Sequence, residues 1–314
     1  MSLYSKKDLD AISKNNGFIR DNLEKVYRLI EVLEYINLNP LLSDALVLKG
    51  GTAINLIVFD MPRLSVDIDL DFNIETSKEE MLLYREKIND DIKGYMRLQG
   101  YVLNSNSKNP HSLDSWVFNY QNSVGNRDNI KIEINYSMRN HIYPPVVSNS
   151  NISFLPSFNV KTLSFLELFG GKIKALIERT APRDLYDVNN MIVNNVFCED
   201  DLDSLRKVII FYLTIGGSDK CKTHYNFNSI DNLGYKQIRD NLIPMLRKSE
   251  HFDFERTKAN VKDFLIKLMN FDDREIRYIE EFNNKHYKPE LLFNDSIVLD
   301  RIRLHPMAIW KTRV

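Results

Sequence analysis

Three aspartates at alternate positions, Asp67, Asp69 and Asp71, offer the clearest chemistry in this sequence. In a β-strand, residues two apart point to the same face, so an extended chain here would project the three carboxylates together. The apolar residues between them would face a core. Carboxylates in a row repel one another unless a cation or solvent compensates them. The pattern therefore predicts a metal-binding strand face, for which a solvated strand edge is the simpler alternative.

Gly50 and Gly51 precede the aspartates and follow a short apolar run at residues 45–48, which predicts a buried strand. Residues 52–59 then predict a short helix. A strand, a diglycine and a helix in this order let a phosphate approach backbone N–H groups at the helix N-terminus, because glycine carries no obstructing side chain. Most diglycines are simple turns. This one gains significance from the acidic stretch that follows, for which we predict a strand over residues 63–72.

A further carboxylate, Glu133, stands in another predicted strand. Isoleucines alternate with polar residues over residues 130–136, and a turn-rich linker connects this segment to a predicted strand at 116–120. Glu133 lies on the polar face. If its strand is a neighbour of the aspartate strand, a third carboxylate joins the first pair; otherwise Glu133 is an ordinary outward-facing residue.

Lys172 lies in a predicted helix whose start is marked by a capping box at residues 164–167. The same helix contains Gly170 and Gly171, each of which costs about 1 kcal/mol relative to alanine. Such a cost indicates close packing against another backbone or a ligand.

Arg183, Asp184 and Asp187 follow Pro182, which suits the first position of the next helix. Asp184 and Asp187 are three residues apart and therefore share a helix face. Acids in a first turn are favoured by the helix dipole, which is a sufficient structural reason for both of them.

Other amphipathic segments predict helices that pack on a core. They are residues 17–38, 77–98, 202–213, 235–246, 254–269 and 274–282. A Pro-, Asn- and Ser-rich stretch at 143–156 is the predicted connection between two lobes.

The 314 residues are 43% hydrophobic and 27% charged, with a formal net charge of −1. These are the proportions of an ordinary soluble protein, and the charge provides no global field that would attract nucleic acid. No apolar run approaches the roughly 20 residues that span a bilayer, and the polar N-terminus is unlike a signal peptide. Two cysteines without zinc-finger spacing fit a reducing compartment. We therefore expect a cytoplasmic protein.

The diglycine and the aspartates stand in two longer motifs, Lys49-Gly-Gly-Thr-Ala-Ile and Arg63-Leu-Ser-Val-Asp-Ile-Asp-Leu. Farther along come Lys172-Ile-Lys-Ala-Leu, Arg179 and Arg183-Asp-Leu-Tyr-Asp. Together these motifs resemble the AbiEii-type nucleotidyltransferase toxins of type IV toxin–antitoxin systems, which have relatives called MenT. The resemblance covers about residues 45–190. Its specificity comes from the combination, since no single motif is specific.

The resemblance implies an α+β fold, in which a polymerase-β-like nucleotidyltransferase core, a small mixed sheet with flanking helices, is joined to a mainly helical C-terminal lobe. We place the nucleotidyltransferase lobe at residues 1–157 and the helical lobe, expected to close the active-site cleft, at 158–314. The resemblance further implies Mg²⁺, an NTP donor, an RNA acceptor such as tRNA, and a separately encoded antitoxin.

The family motifs also imply site residues. The metal-binding acids map to Asp67 and Asp69, and the later catalytic lysine and acids map to Lys172, Asp184 and Asp187. The donor NTP is expected to contact Gly50, Gly51, Ser65, Lys172 and Arg183. Glu133 is assigned to the metal, or to the proton of the acceptor hydroxyl, from its strand position alone, with Asp71 in reserve.

Three features bear on how well the family pattern fits, one of which is that the family marks its third metal-binding acid poorly. Fifteen residues separate Gly51 from Asp67, which is a long gap, and Gly170-Gly171 replaces larger helix-forming residues.

Three other functions are compatible with parts of the sequence. Nucleotidyl transfer to a small molecule or a protein would use the same residues. A catalytically silent nucleic-acid-binding or antitoxin-like partner would not need the carboxylates. A metal-dependent phosphohydrolase is disfavoured, because the sequence has no clustered histidine and aspartate motif.

Overall fold

The structure is a computed structural model that describes residues 5–217 and 220–313. The chain forms two compact units. The first, here called the sheet unit, runs to Arg139 and also includes Pro145–Leu163 and Pro244–Glu250. The second, the helical unit, comprises Asn140–Pro144, Ser164–Ile243 and the residues from His251 onward. The boundary predicted at residue 157 lies six residues before the change of unit that follows Leu163.

The sheet unit is built on one mixed seven-stranded sheet with the strand order β3-β4-β5-β2-β1-β7-β6. Strand β2 is parallel to β5 and β1 is parallel to β7, whereas the other neighbouring pairs are antiparallel. The strands are β1 Leu46–Lys49, β2 Asp67–Phe72, β3 Val102–Leu103, β4 Leu113–Gln121, β5 Arg127–Asn135, β6 Val146–Asn149 and β7 Asn159–Thr162. Strand β6 lies within the stretch that we predicted to be a connection.

Period-two alternation explains why the central strands form. In β2, Ile68, Leu70 and Phe72 are buried, and in β5 the isoleucines at 130, 132 and 134 are fully buried. The predicted strand at 63–72 begins only at Asp67. The residues before it contact a distant segment instead, since Arg63 bridges Leu246 and the Leu64 N–H donates to the Met245 carbonyl at 2.8 Å.

Helices flank this sheet. They are α1 Lys6–Asn16, α2 Arg20–Leu38, α3 Pro40–Ala45, α4 Gly50–Ala53, which continues as a π-helical turn at Ile54–Val58, and α5 Lys78–Leu98. The start of α5 has a complete capping box, in which Ser77 and Glu80 satisfy each other's backbone N–H groups. The helices predicted at 17–38, 52–59 and 77–98 are confirmed.

The helical unit contains the remaining helices. They are α6 Phe165–Arg179, α7 Pro182–Val193, α8 Glu199–Gly216, α9 Asn228–Asp231, α10 Tyr235–Asn241, α11 Phe254–Leu268, α12 Asp273–Asn283, α13 Ser296–Ile302 and α14 Pro306–Arg313. Its centre is α8, which is buried from Val208 to Ile215. Helix α6 packs closely on α8, because a Cβ at Gly170 would lie 2.5 Å from Cγ1 of Val208. At Gly171 a Cβ would meet nothing within 4 Å.

A mixed sheet with flanking helices, followed by a mainly helical part, confirms the predicted α+β class. Within residues 5–217 and 220–313, no helix is both long and apolar enough to cross a bilayer.

Candidate active site

The carboxylates predicted to share a face do so. Strands β2 and β5 are parallel neighbours, with Asp69 opposite Glu133 and Asp67 opposite Lys131. Paired residues of adjacent strands project from the same face of a sheet, so Asp67, Asp69 and Glu133 point the same way. All three are half-buried. The condition set for Glu133, that its strand is a neighbour of the aspartate strand, is therefore met.

Glu133 is held by two neighbours on this face. The Ser115 hydroxyl donates to its Oε1 at 2.8 Å, and Nζ of Lys131 lies 3.0 Å from the same oxygen. These contacts come from β4 and β5 and fix the orientation of the carboxylate.

The diglycine abuts the acidic face. Gly50 has a φ of +73°, and a Cβ there would lie 2.6 Å from Oδ2 of Asp69. A side chain at this position would meet both backbone strain and the carboxylate. The Asp69 carboxylate thus lies against bare backbone at the start of α4.

Gly51 packs against polar groups as well. A Cβ there would lie 2.7 Å from Nη2 of Arg63 and 3.1 Å from Oγ of Ser65. The Thr52 hydroxyl lies 3.0 Å from the Ser65 hydroxyl and also hydrogen-bonds the Asp67 carbonyl. Arg63 is only 2% exposed. Sequence reasoning quoted Arg63 in a motif but did not identify it as a buried cation beside the diglycine.

Asp71, held in reserve as a metal ligand, is engaged by a residue that sequence reasoning did not assign to the site. Nζ of Lys49 lies 2.5 Å from Oδ1 of the buried Asp71. Burial alone would lower the pKa of Lys49, but attraction to Asp71, Asp69 and Glu133 outweighs burial and raises it. Lys49 therefore stays an ammonium ion at neutral pH. Its position at the end of β1, next to the diglycine, was the available signal.

The helical unit brings together four of the charged residues in the sequence motifs. Nζ of Lys172 lies 2.9 Å from Oδ1 of Asp184 and 3.0 Å from Oδ2 of Asp187. Arg179 reaches the same Asp184 through Nε at 2.7 Å and Nη2 at 3.1 Å. Lys172 is 7% exposed and each aspartate 1%. The two acids thus face a buried lysine, and do more than favour the dipole of α7.

Local sequence positions this cluster. The Ser164 hydroxyl caps α6 by accepting from the Glu167 N–H, and Pro182 begins α7 as predicted. Burial opposes ionisation of Asp184, but Lys172 and Arg179 overcome it and lower the pKa of the carboxyl. Arg183 is half-buried in the first turn of α7.

The donor set on the acidic face fits Mg²⁺, although it is incomplete. No group of three His, Cys, Asp or Glu side chains within the described residues is arranged to hold a metal ion. Mg²⁺ characteristically takes one or two protein carboxylates and completes its octahedral shell with substrate phosphates and water. Asp67 and Asp69 offer carboxylates on one face, and the Asp69 carboxylate lies against the backbone of Gly50.

Comparison with known proteins gives a family match and a structural match. A family model described as nucleotidyl transferase AbiEii toxin, type IV TA system, matches residues 31–282. The structure resembles MenT4, a nucleotidyltransferase toxin from Mycobacterium tuberculosis H37Rv, with a TM-score of 0.61 and 15% sequence identity. This match covers 88% of the present chain and 93% of MenT4, and it confirms the expected fold. No curated protein matches the chain in sequence.

Proposed function

Because this chain belongs to the AbiEii family of nucleotidyltransferase toxins of type IV toxin–antitoxin systems, we propose that it transfers a nucleoside monophosphate from an NTP to an RNA acceptor such as tRNA, with Mg²⁺ as cofactor. The family itself makes the chain a nucleotidyltransferase. The RNA acceptor and the metal are our additions. The observation that carries the metal is the pairing of Asp69 with Glu133 on a strand face that abuts the Gly50 backbone.

In this proposal Asp67 and Asp69 hold Mg²⁺, and Glu133 beside them acts as a base. Bound there, the ion would neutralise phosphate charge and stabilise the pyrophosphate leaving group. The acceptor oxygen attacks the α-phosphorus, and the bond from that phosphorus to the pyrophosphate oxygen breaks. Glu133 accepts the proton of the acceptor hydroxyl. Asp71 is not proposed for this role, because Lys49 already engages its carboxylate.

We assign donor binding to backbone and hydroxyl groups of the sheet unit. The N–H groups of Gly50 and Gly51 hold phosphate oxygens, since neither residue carries a side chain of its own. The Ser65 hydroxyl adds a further hydrogen bond. Arg63, buried against Gly51, adds positive charge behind these groups.

We propose that residues of the helical unit also bind the negatively charged triphosphate of the donor. Lys172 supplies a compact ammonium ion to the triphosphate, and Arg183 supplies a guanidinium that can fork onto phosphate. Asp184 and Asp187 hold Lys172 in place through contacts of 2.9 and 3.0 Å.

The test is a labelling assay. Wild-type protein is incubated with each of four labelled NTPs, total RNA and either Mg²⁺ or EDTA. We expect label in RNA with Mg²⁺ only, and its loss in Asp67→Asn and Asp69→Asn. Asp128→Asn is the matched control, because Asp128 is a half-buried acid of β5 that pairs with Lys25 at 2.7 Å. Full transfer by Asp69→Asn would refute the metal assignment.

The same assay decides between acceptors. Label that migrates with protein or with a small molecule, and not with RNA, would replace the RNA acceptor by the alternative that uses the same residues. Label in no fraction under any condition would point to a silent binding partner.

Membership of a toxin family implies an antitoxin. We propose that the antitoxin is a separate protein, that the pair acts in the cytoplasm, and that it contributes to phage defence. Induction of the chain with and without a co-expressed neighbouring gene product would test growth inhibition and its relief.

A further inference from the structure

The acidic face contains its own cations. Lys49 lies opposite Asp69 in the antiparallel pairing of β1 with β2, and its ammonium group contacts Asp71 at 2.5 Å. Lys131, on the same face, contacts Glu133 at 3.0 Å. On this face, Asp71 and Glu133 therefore each have an ammonium ion in contact.

The two ion pairs differ in burial. The Asp71 side chain is 4% exposed, whereas Lys131 and Glu133 are 39% and 29% exposed. A buried carboxylate that loses its partner is strongly destabilising, while an exposed pair contributes little. Asp71 therefore keeps Lys49 in place. Lys49, itself 30% exposed, carries a fixed positive charge beside Asp69.

We propose that Lys49 is a built-in counter-cation of the metal site, which keeps Asp71 out of metal coordination and weakens divalent-cation binding to the acidic face until the donor triphosphate arrives. An ammonium ion repels a divalent cation, and the triphosphate supplies both oxygen ligands and negative charge that reverse the balance. Metal and nucleotide then enter together. Lys49 acts as a positioning residue, and the inference depends on the Mg²⁺ dependence proposed above.

Lys49→Met removes the charge and preserves the length of the side chain. Binding of Mn²⁺, a spectroscopic substitute for Mg²⁺, is measured without nucleotide by calorimetry and electron paramagnetic resonance. We expect the affinity of the variant to rise about tenfold, which corresponds to ~1.4 kcal/mol. In EDTA its melting temperature should fall below that of the wild type, and Mn²⁺ should restore it, because the metal replaces the missing cation.

The double variant Lys49→Met with Asp71→Asn replaces the ion pair by a neutral pair of similar shape. It should remain folded in EDTA and bind Mn²⁺ with near wild-type affinity, because the charge and the extra ligand are removed together. Lys25→Met is the matched control, since it breaks the ion pair with Asp128 in the same unit. Its stability should not respond to Mn²⁺.

Two results would overturn the inference. The first is Mn²⁺ affinity of Lys49→Met within twofold of the wild type. The second is a Lys49→Met protein that is unfolded in both EDTA and Mn²⁺ while the double variant folds, which would make Lys49 only the structural partner of Asp71. Neither result uses nucleotide transfer. Failure of the proposed function would appear separately, as transfer by the wild type that does not need Mg²⁺.

Discussion

The two charged clusters of this protein are balanced in different ways. On the strand face of the sheet unit, two lysines accompany four carboxylates, Asp67, Asp69, Asp71 and Glu133. In the helical unit, Lys172 and Arg179 accompany two carboxylates, Asp184 and Asp187. The first cluster also borders Arg63, the buried cation beside the diglycine, whereas in the second two cations contact two acids directly.

Burial follows the same division. Asp67 and Asp69 on the strand face are half-buried and retain access to solvent, whereas the acids of the helical cluster are 1% exposed. A charge can be buried at tolerable cost only when it is paired and hydrogen-bonded. The difference indicates that ion pairs within the helical cluster offset the cost of its burial, whereas the acids of the strand face retain solvation.

Of the substitutions that test this comparison, Lys172→Met should have the largest effect on stability. It leaves Asp187 without its lysine and Asp184 with Arg179 alone, and breaking such a buried pair costs about 3–5 kcal/mol. Urea unfolding at pH 7 should show that loss. Lys174→Met is the control on the same helix, because its partner Glu178 is half-exposed and the pair is worth about 0.5 kcal/mol. Equal losses in both variants would show that the Lys172 cluster is not a buried, interdependent unit.

The neighbouring glycines of α6 test how tightly the helical cluster is supported. Gly170→Ala forces a methyl group against Val208 and should destabilise the protein by about 1–3 kcal/mol. Gly171→Ala meets open space and should stabilise it by about 1 kcal/mol through helix propensity. Thermal unfolding of the two variants measures both stability changes. A destabilised Gly171→Ala protein would contradict the packing described for α6.

Gly50→Ala makes the equivalent test in the sheet unit. Positive φ costs a non-glycine residue about 1–2 kcal/mol, and here the new methyl group also displaces the Asp69 carboxylate. We expect nucleotide transfer to fall at least about a hundredfold, in line with the loss of ~2.7 kcal/mol of transition-state stabilisation. Gly125→Ala has a φ of +85° and open space, so it should lose similar stability and keep its activity. Equal transfer activities of Gly50→Ala and Gly125→Ala would show that Gly50 has no role in the reaction.

Arg179→Ala should have the smallest effect. Arg179 is 64% exposed, so its pair with Asp184 is worth about 0.2–1 kcal/mol after solvent screening. Because the folded pKa of Asp184 is lowered, the stability from this pair is present above about pH 4 and is lost as pH falls through the folded pKa. Unfolding curves of variant and wild type should therefore differ at pH 7 and converge once the pH lies below the folded pKa of Asp184. A difference that persists at low pH would assign the effect to packing.

Local rules anticipated much of this arrangement. The period of two placed the aspartates and Glu133 on polar strand faces, and Pro182 marked the start of α7, because these signals depend only on neighbouring residues. The grouping of Lys172 with the two acids of α7 was anticipated only through the family resemblance. Its burial was not, since the depth of a helix face depends on what packs against it.

Contacts between residues far apart in the chain could not be predicted from the sequence. The contact of Lys49 with Asp71 requires the antiparallel register of β1 with β2, and the position of Arg63 depends on a partner near residue 246. A strand was expected to begin at 63 because the local pattern is extended. The chain instead pairs there with a segment that only the complete fold brings near.

That distant segment has a consequence for synthesis of the protein. The sheet unit includes Pro244–Glu250, and Pro244 emerges 81 residues after Leu163 (244 − 163). At roughly 5–20 residues per second, a ribosome needs about 4–16 s to cover that interval. During this time Arg63, which lies beside the diglycine, lacks its bridge to Leu246. The surroundings of the diglycine are therefore completed only after most of the chain has been translated.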